Sequence, residues 1–368
     1  MVYLDYSATC PVDKDVMDSF VKSSSYFGNP NSLHSLGVKS KKLIDASTEQ
    51  IASLMGVKGS EIIYTSGAGE ANNTIIKAME FYKNRGSKII TTELEHSSIY
   101  GPLNYLAEKG FDIEFVPLKD GMVDISALED MIDGACLVTI SMVNSEVGIR
   151  QPIEEIGKVL KKYPKVFFHT DITQALGKIK FDLSDVDFAS FSAHKFFGIK
   201  GIGGFYKKDG VSINPLISGG KSTTMYRSGT PATSLIVSMS KALRLSYENM
   251  DDDLDRIRKF NNILRDGLSK YDNVFINSNE NSIYHILNFS VLGVKPETFM
   301  HALEEEGVYI STQSACSTGD YSKAVLAICS DIKRASSSLR VSISRKTTSS
   351  DIDKFLKIFD SCYNKLCN

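Results

Sequence analysis

Phe188-Ala-Ser-Phe-Ser192-Ala-His194-Lys195-Phe-Phe-Gly198-Ile-Lys-Gly201-Ile-Gly203-Gly204 reads as an apolar strand that runs into small and polar residues, a lysine and a glycine-rich turn. Upstream, Lys165–Asp171 has the same character, and so does the apolar run Cys136–Val143. Strands that are apolar on both faces belong in a mostly parallel sheet covered by helices. Working outward, further strands are predicted at Glu61–Ser66, Lys88–Thr92, Asp112–Leu118, Asp187–Ser192 and Ile202–Lys207. Helical periodicity fills most gaps, over Glu70–Tyr82, Ser98–Lys109, Ile125–Met131 and Ile153–Tyr163. The expectation is a large α/β domain whose mostly parallel, seven-stranded sheet is flanked by helices.

After Pro231 the rhythm changes. One long helical stretch is predicted from Ala232 to about Tyr271, carrying the acidic run Asp251-Asp-Asp253. Strands at Asn273–Ile276 and His285–Leu292, a helix Pro296–Glu306, strands at Val308–Thr312 and Leu339–Ser344, and a last helix Asp351–Leu366 follow. This pattern predicts a smaller α+β domain. The 368 residues suit two or three domains, and 42% hydrophobic with 23% charged residues excludes disorder as the dominant state. With 42 Lys and Arg against 44 Asp and Glu, the net charge of −2 argues against a nucleic-acid binder. No apolar run is long enough to cross a membrane, and the start, Met1-Val-Tyr-Leu-Asp5, lacks a basic secretory leader. The 6 scattered cysteines form neither a disulfide framework nor a metal-binding spacing, so no metal site is expected. Cys136 and Cys329 sit in apolar segments and read as core. A cytoplasmic protein is the expectation.

Several residues carry chemistry. Lys195, at a strand end beside His194 and Ser192, suits a Schiff-base nucleophile, though a surface lysine before a loop has the same local look. Asp171 ends a strand where α/β sheets place their ligands. Pyridoxal phosphate needs such a carboxylate against its pyridinium nitrogen; a helix N-cap is the plainer use of the same residue. Ser66-Gly67-Ala68-Gly69-Glu70 is a glycine turn into a helix, able to bring backbone N–H groups to a phosphate. It is not a dinucleotide fingerprint, because Asn72 stands where the third glycine belongs. Gly219-Gly220-Lys221-Ser222 is not a P-loop, because Pro215 occupies the position of its first glycine. His96 could stack on a cofactor or relay a proton. Cys316 lies in the Ser/Thr/Gly-rich run Ser311–Gly319, a setting for an exposed, reactive thiol. Arg340, in a strand, could clamp a carboxylate or form a structural ion pair.

Together these segments resemble the cysteine desulfurases, class V members of the fold-type I pyridoxal-phosphate superfamily. The likeness runs over nearly the whole chain: Tyr3-Leu-Asp-Tyr-Ser-Ala-Thr9, Phe27-Gly-Asn29-Pro30, Thr65-Ser-Gly-Ala68, Glu95-His96, Val143-Asn144, Asp171-x-x-Gln174, Ser192-x-His194-Lys195, Arg227-Ser-Gly-Thr230 and Ser314-Ala-Cys316. The resemblance implies that Lys195 holds pyridoxal 5'-phosphate covalently and shuttles protons. Asp171 would pair with the ring nitrogen, Gln174 with the ring hydroxyl, and His96 would stack on the ring. Ala68, Gly69, Ser192 and His194 would hold the phosphate, with Thr230 reaching across from the other subunit of a homodimer. Asn29 and Arg340 would bind the carboxylate of L-cysteine, and the Cys316 thiolate would take its sulfur as a persulfide. The implied architecture places residues 14–250 in the large domain, and 1–13 with 251–368 in the small one carrying Cys316. A sulfur-acceptor protein, an iron–sulfur scaffold or a tRNA-thiolation enzyme, is the implied partner.

The sequence departs from the family pattern at Gly69, commonly Thr, and at Ser145, commonly Asn and part of the cofactor contact. Losing one charge-assisted hydrogen bond costs about 1.5–3 kcal/mol, so weaker cofactor retention is expected. The chain also ends soon after its last helix, short of the tail with which some relatives engage an iron–sulfur scaffold. A selenocysteine lyase, another β-eliminating class V enzyme and a weakly active homologue acting as a binding partner are the competing readings.

Overall fold

A computed structural model describes residues 1–220, 222–312 and 321–367. The Ser314-Ala-Cys316 motif lies outside the described residues.

All seven predicted strands of the large sheet are present: β1 (Ile62–Thr65), β2 (Lys88–Thr91), β3 (Asp112–Phe115), β4 (Ala135–Thr139), β5 (Phe167–Asp171), β6 (Phe188–Ser192) and β7 (Gly203–Lys207). Their order is β1-β7-β6-β5-β4-β2-β3. β7 runs antiparallel to both of its neighbours, and the other pairings are parallel. The strands β4, β5, β6 and β7 are buried along their whole length. Successive residues feed opposite faces: Phe168 and Phe191 join one apolar cluster, Phe167 and Phe188 the other. The edge strand β3 is shorter than its apolar run suggests, because Pro117 lacks the N–H that pairing needs.

A separate apolar cluster holds the rest together. Val2 and Leu4 join Ile257, Leu264, Phe289, Phe299, Phe355 and Phe359. A three-stranded antiparallel sheet lies here, β8 (Val274–Ile276), β9 (Ile286–Val291) and β10 (Ser338–Ser342), in the order β8-β9-β10. The N-terminal strand Val2–Tyr3 pairs in parallel with Val308–Tyr309, so the first residues pack with the last hundred.

Three features differ from the sequence reading. The stretch predicted as one helix from Ala232 is two, Thr233–Tyr247 and Met250–Leu268. Asn249 leaves helical geometry between them, and Asp251, Asp252 and Asp253 then sit in a first turn, where the helix dipole favours carboxylates. Helices Lys14–Ser24 and Ser35–Met55 precede the first large-sheet strand and pack on Thr233–Tyr247, in a region to which the sequence reading assigned no elements. Cys136 is core as expected, but Cys329 is only half-buried, with its thiol directed to Val325 O at 3.1 Å.

Gly203 on β7 permits the close approach of the turn after β1. A Cβ there would stand 2.4 Å from Phe191 O and 2.7 Å from Gly67 Cα. Gly203→Ala is therefore expected to lose about 1–3 kcal/mol of stability through overpacking. Urea unfolding of both proteins measures this, and an unchanged midpoint would contradict it.

Candidate active site

The carboxyl ends of the large-sheet strands open into one cavity of about 340 Å³. It brings together ten of the residues singled out from the sequence: Ala68, Gly69, His96, Ser145, Asp171, Gln174, Ser192, His194, Lys195 and Arg340. Each comes from a strand end or the turn that follows it, except Arg340, which reaches in from β10.

Lys195 is the centre of the cavity's chemistry. Its Nζ donates to Ser7 O at 2.5 Å and to Ala8 O at 2.8 Å. Burial pushes its pKa down to about 8, helped by the Arg340 guanidinium and opposed by Asp171 and Asp5. A lysine so placed has an appreciable neutral, nucleophilic fraction near neutral pH. Ser7 O also accepts from Gln174 Nε2 at 3.0 Å, and Gln174 Oε1 accepts from buried Lys178 at 2.5 Å. Burial holds Lys178 at about 7.

Asp171 is buried at the end of β5. Its Oδ1 accepts from Thr173 N at 2.8 Å and its Oδ2 from Asn72 Nδ2 at 2.9 Å. His96 N-caps the helix Ser97–Glu108, its Nδ1 accepting from Ser98 N at 3.2 Å; burial lowers its pKa. The preceding Glu95 is buried and pushed up to about 7 by that burial. It accepts from Ser141 N and Oγ and from Thr92 Oγ1, which ties the His96 turn to the segment after β4. Burial, with Lys195 next, holds His194 near pKa 4.

Arg340 forms a structural ion pair, one of the two uses that the sequence left open, and it also lines the cavity. Its Nη2 pairs with Asp5 at 2.7 Å and its Nη1 donates to Ser145 O at 2.9 Å. Its remaining N–H groups include Nε, a buried donor without a partner among the described residues. A guanidinium has five N–H donors, so one that lines the cavity while holding two protein partners keeps donors with which to receive a carboxylate.

Two sequence candidates lie elsewhere. Asn29 is exposed and spends its carbonyl on Asn31 N at 3.0 Å, away from the cavity lining. Thr230 lines a separate cavity of about 110 Å³ with Thr65, Ser66 and Arg227. Ser7, Ala8, Asn144 and Thr173 line the main cavity without having been picked out singly. Ser7 and Ala8 hold Lys195 through backbone carbonyls, which side-chain types do not reveal; the Tyr3–Thr9 motif is the signal that marks them.

The donor set fits pyridoxal phosphate. The helix Ala68–Lys77 directs its free N-terminal N–H groups into one end, beside Ser192 and His194, where an anionic phosphate would be held. Asp171 supplies a carboxylate for a ring nitrogen, Lys195 an amine, and Thr173 Oγ1 is a buried polar atom without a partner among the described residues.

Comparison with known proteins agrees. Residues 2–355 match the aminotransferase class-V family. The cysteine desulfurase IscS of Dictyoglomus turgidum is 36% identical, over 99% of this chain and 95% of the relative. A NifS/IcsS protein homologue of Lactobacillus delbrueckii is 37% identical over 99% and 97%. Among solved structures, a NifS-like protein superposes with a TM-score of 0.94 at 34% identity, covering 99% of this chain and 100% of the other. A NifS-like protein of Rickettsia africae gives 0.89 at 31%, over 99% of each chain. The chain belongs to the class-V aminotransferase family, within its cysteine desulfurase group. It is an enzyme of a pyridoxal-phosphate-dependent family.

A Cβ added at Gly69 would meet nothing within 4 Å. The hydroxyl that the family carries there therefore has room. The double variant Gly69→Thr/Ser145→Asn is expected to bind pyridoxal phosphate about tenfold more tightly or better. Equilibrium titration of the cofactor-free protein measures it; an unchanged dissociation constant would contradict the assignment.

Proposed function

We propose that this enzyme removes sulfur from L-cysteine, giving L-alanine and a persulfide on Cys316 that passes to an acceptor protein. The observation that carries this reading is the convergence of Lys195, Asp171, His96 and Arg340 on one cavity. Bound pyridoxal phosphate supplies an electron sink for negative charge at the substrate's α-carbon. Asp171 would keep the ring nitrogen positively charged, Gln174 would donate to the ring oxygen, and His96 would pack on the ring. Ala68, Gly69, Ser192 and His194 would receive the phosphate. Arg340 binds the substrate carboxylate, which orients the α-carbon toward Lys195, and the Lys195 amine carries the proton there. Asn29 lies outside the cavity lining of its own chain, and its amide N–H groups, which the turn bond to its carbonyl does not use, are the donors it would offer the substrate carboxylate.

The sulfur step balances without an added oxidant. The Cys316 thiolate attacks the substrate sulfur, the carbon–sulfur bond breaks, and a sulfur–sulfur bond forms. The carbon left behind takes up a proton and leaves as alanine.

The division of the chain at about residue 250, with 1–13 joining 251–368, is supported by the two sets of apolar clusters and by the helix break at Asn249. A homodimer with Thr230 reaching a partner's phosphate is supported by the placement of Thr230 outside its own chain's cavity. No helix of the described residues is long and apolar enough to cross a membrane. The five described cysteines are all unpaired, which supports a reducing, cytoplasmic setting. In this reading the acceptor is an iron–sulfur scaffold or a tRNA-thiolation enzyme, the partner classes that the family resemblance implies.

Incubated with L-cysteine and a thiol reductant, the cofactor-loaded protein is expected to release alanine in many-fold excess over enzyme. Cys316→Ser should release none, while still binding the cofactor. Absence of alanine from the wild type, or full activity in Cys316→Ser, would sink the proposal.

The low Lys195 pKa gives a second expectation. Capture of cofactor by the apoprotein requires the neutral amine, so its rate should rise about tenfold per pH unit below about 8 and level off above. Stopped-flow absorbance would show this, and a rise continuing to about pH 10, as for an ordinary lysine, would refute it.

A further inference from the structure

Asn72 is fully buried behind the cavity, on the helix Ala68–Lys77 that follows the glycine turn. Its amide nitrogen donates to Asp171 Oδ2 at 2.9 Å and to Ser98 Oγ at 2.9 Å. Its carbonyl Oδ1 is buried and has no partner among the described residues. This orientation is dictated by chemistry, because a carboxylate oxygen only accepts and must be met by N–H. The amide leaves an acceptor unpaired in order to spend both donors on the site. Buried unpaired acceptors are uncommon and call for a reason.

The chain of bonds continues. Ser98 Oγ lies 2.9 Å from His96 Nδ1, and the same nitrogen accepts from the Ser98 backbone N–H at 3.2 Å. A backbone N–H can only donate, so Nδ1 carries a lone pair. The neutral imidazole therefore holds its proton on Nε2. Ser98 Oγ accepts from Asn72 and gives its own hydrogen to His96. Every donor and acceptor from Asp171 to His96 is thereby assigned, with Asn72 as the source of both branches.

We propose that Asn72 is a positioning residue that orders two parts of the site at once: the carboxylate that meets the cofactor ring nitrogen, and the imidazole that packs on the ring, held as its Nε2–H tautomer. The inference rests on the pyridoxal-phosphate reading given above. Lys195, His96, His169 and Glu95 are the other titratable groups in the electrostatic surroundings of Asp171, and none of them is seen to donate a hydrogen bond to it. Asn72 is its one side-chain donor among the described contacts.

The test compares Asn72→Leu and Asn72→Asp with the wild type, using the dissociation constant of pyridoxal phosphate and the thermal midpoint of each full-length protein. Asn72→Leu should bind the cofactor about tenfold more weakly or worse, the loss of one donor to a charged group. Asn72→Asp keeps the shape but sets a carboxylate against Asp171, and should be the weakest binder. A role in packing alone predicts the reverse order, with the isosteric Asp nearer to wild type, and that order would overturn the proposal. So would binding by both variants within twofold of wild type. Nitrogen-15 spectra of histidine-labelled wild type, with His96 assigned through His96→Gln, provide the arm that needs no folded Asn72 variant. A non-protonated Nδ1 resonance for His96 supports the assignment, and a protonated Nδ1 overturns it. Failure of the wild type to bind pyridoxal phosphate at all would instead strike the reading on which the proposal rests.

Discussion

Two carbonyl oxygens, those of Ser7 and Ala8, receive the Lys195 ammonium, and the arrangement of the cavity depends on that clamp. Without it the lysine would be a buried charge with no close acceptor. With it the amine is fixed at the end of β6 but stays easy to deprotonate, since carbonyl dipoles stabilise an ammonium less than a carboxylate would. The clamp also links the two apolar cores. Residues 7 and 8 belong to a segment whose beginning pairs with Val308–Tyr309 and whose Asp5 holds Arg340. Lys195 and Arg340 are thus positioned from one short stretch of backbone.

The electrostatics follow from this geometry. Lys195 and Arg340 are cations facing one cavity, and their repulsion adds to burial in lowering the lysine pKa. Asp5 neutralises part of the arginine, which still lines the cavity. Asp171 supplies the opposing charge at the carboxyl end of the central strand β5. A ligand with a carboxylate near Arg340, an anionic group at the helix N-terminus and a positive ring nitrogen at Asp171 would complete the balance. The three demands together are more selective than any one alone.

Much of this was legible in the sequence because parallel strands, buried on both faces, leave continuous apolar runs that end in functional residues. Asp171, Ser192 and Lys195 could be read that way, each just beyond Phe-rich strands. Other features left weaker traces. The break at Asn249 interrupts a helical pattern that is apolar at helical spacing on both sides, so periodicity alone joins the halves. Asn29 is pointed to by its motif alone, and its carbonyl closes its own turn. The roles of Ser7 and Ala8 are played by backbone atoms, and Asn72 presents itself in sequence only as a missing glycine. Residues acting through main-chain groups, or through a neighbour's side chain, carry no type-specific signature.

The N-terminal strand has a consequence for biosynthesis. The residues that clamp Lys195 leave the ribosome before the large sheet, but the strand Val308–Tyr309 and the Arg340 guanidinium that pack on their segment are made after it. The large sheet can assemble during translation, since domains fold as units while the chain emerges. Gln174 holds Ser7 from the large-sheet side, and the Arg340 side of the pocket is completed only when the later residues arrive. A chain interrupted between the sheet and those later residues therefore contains the strands of the large sheet but neither Arg340 nor the strand that pairs with Val2–Tyr3.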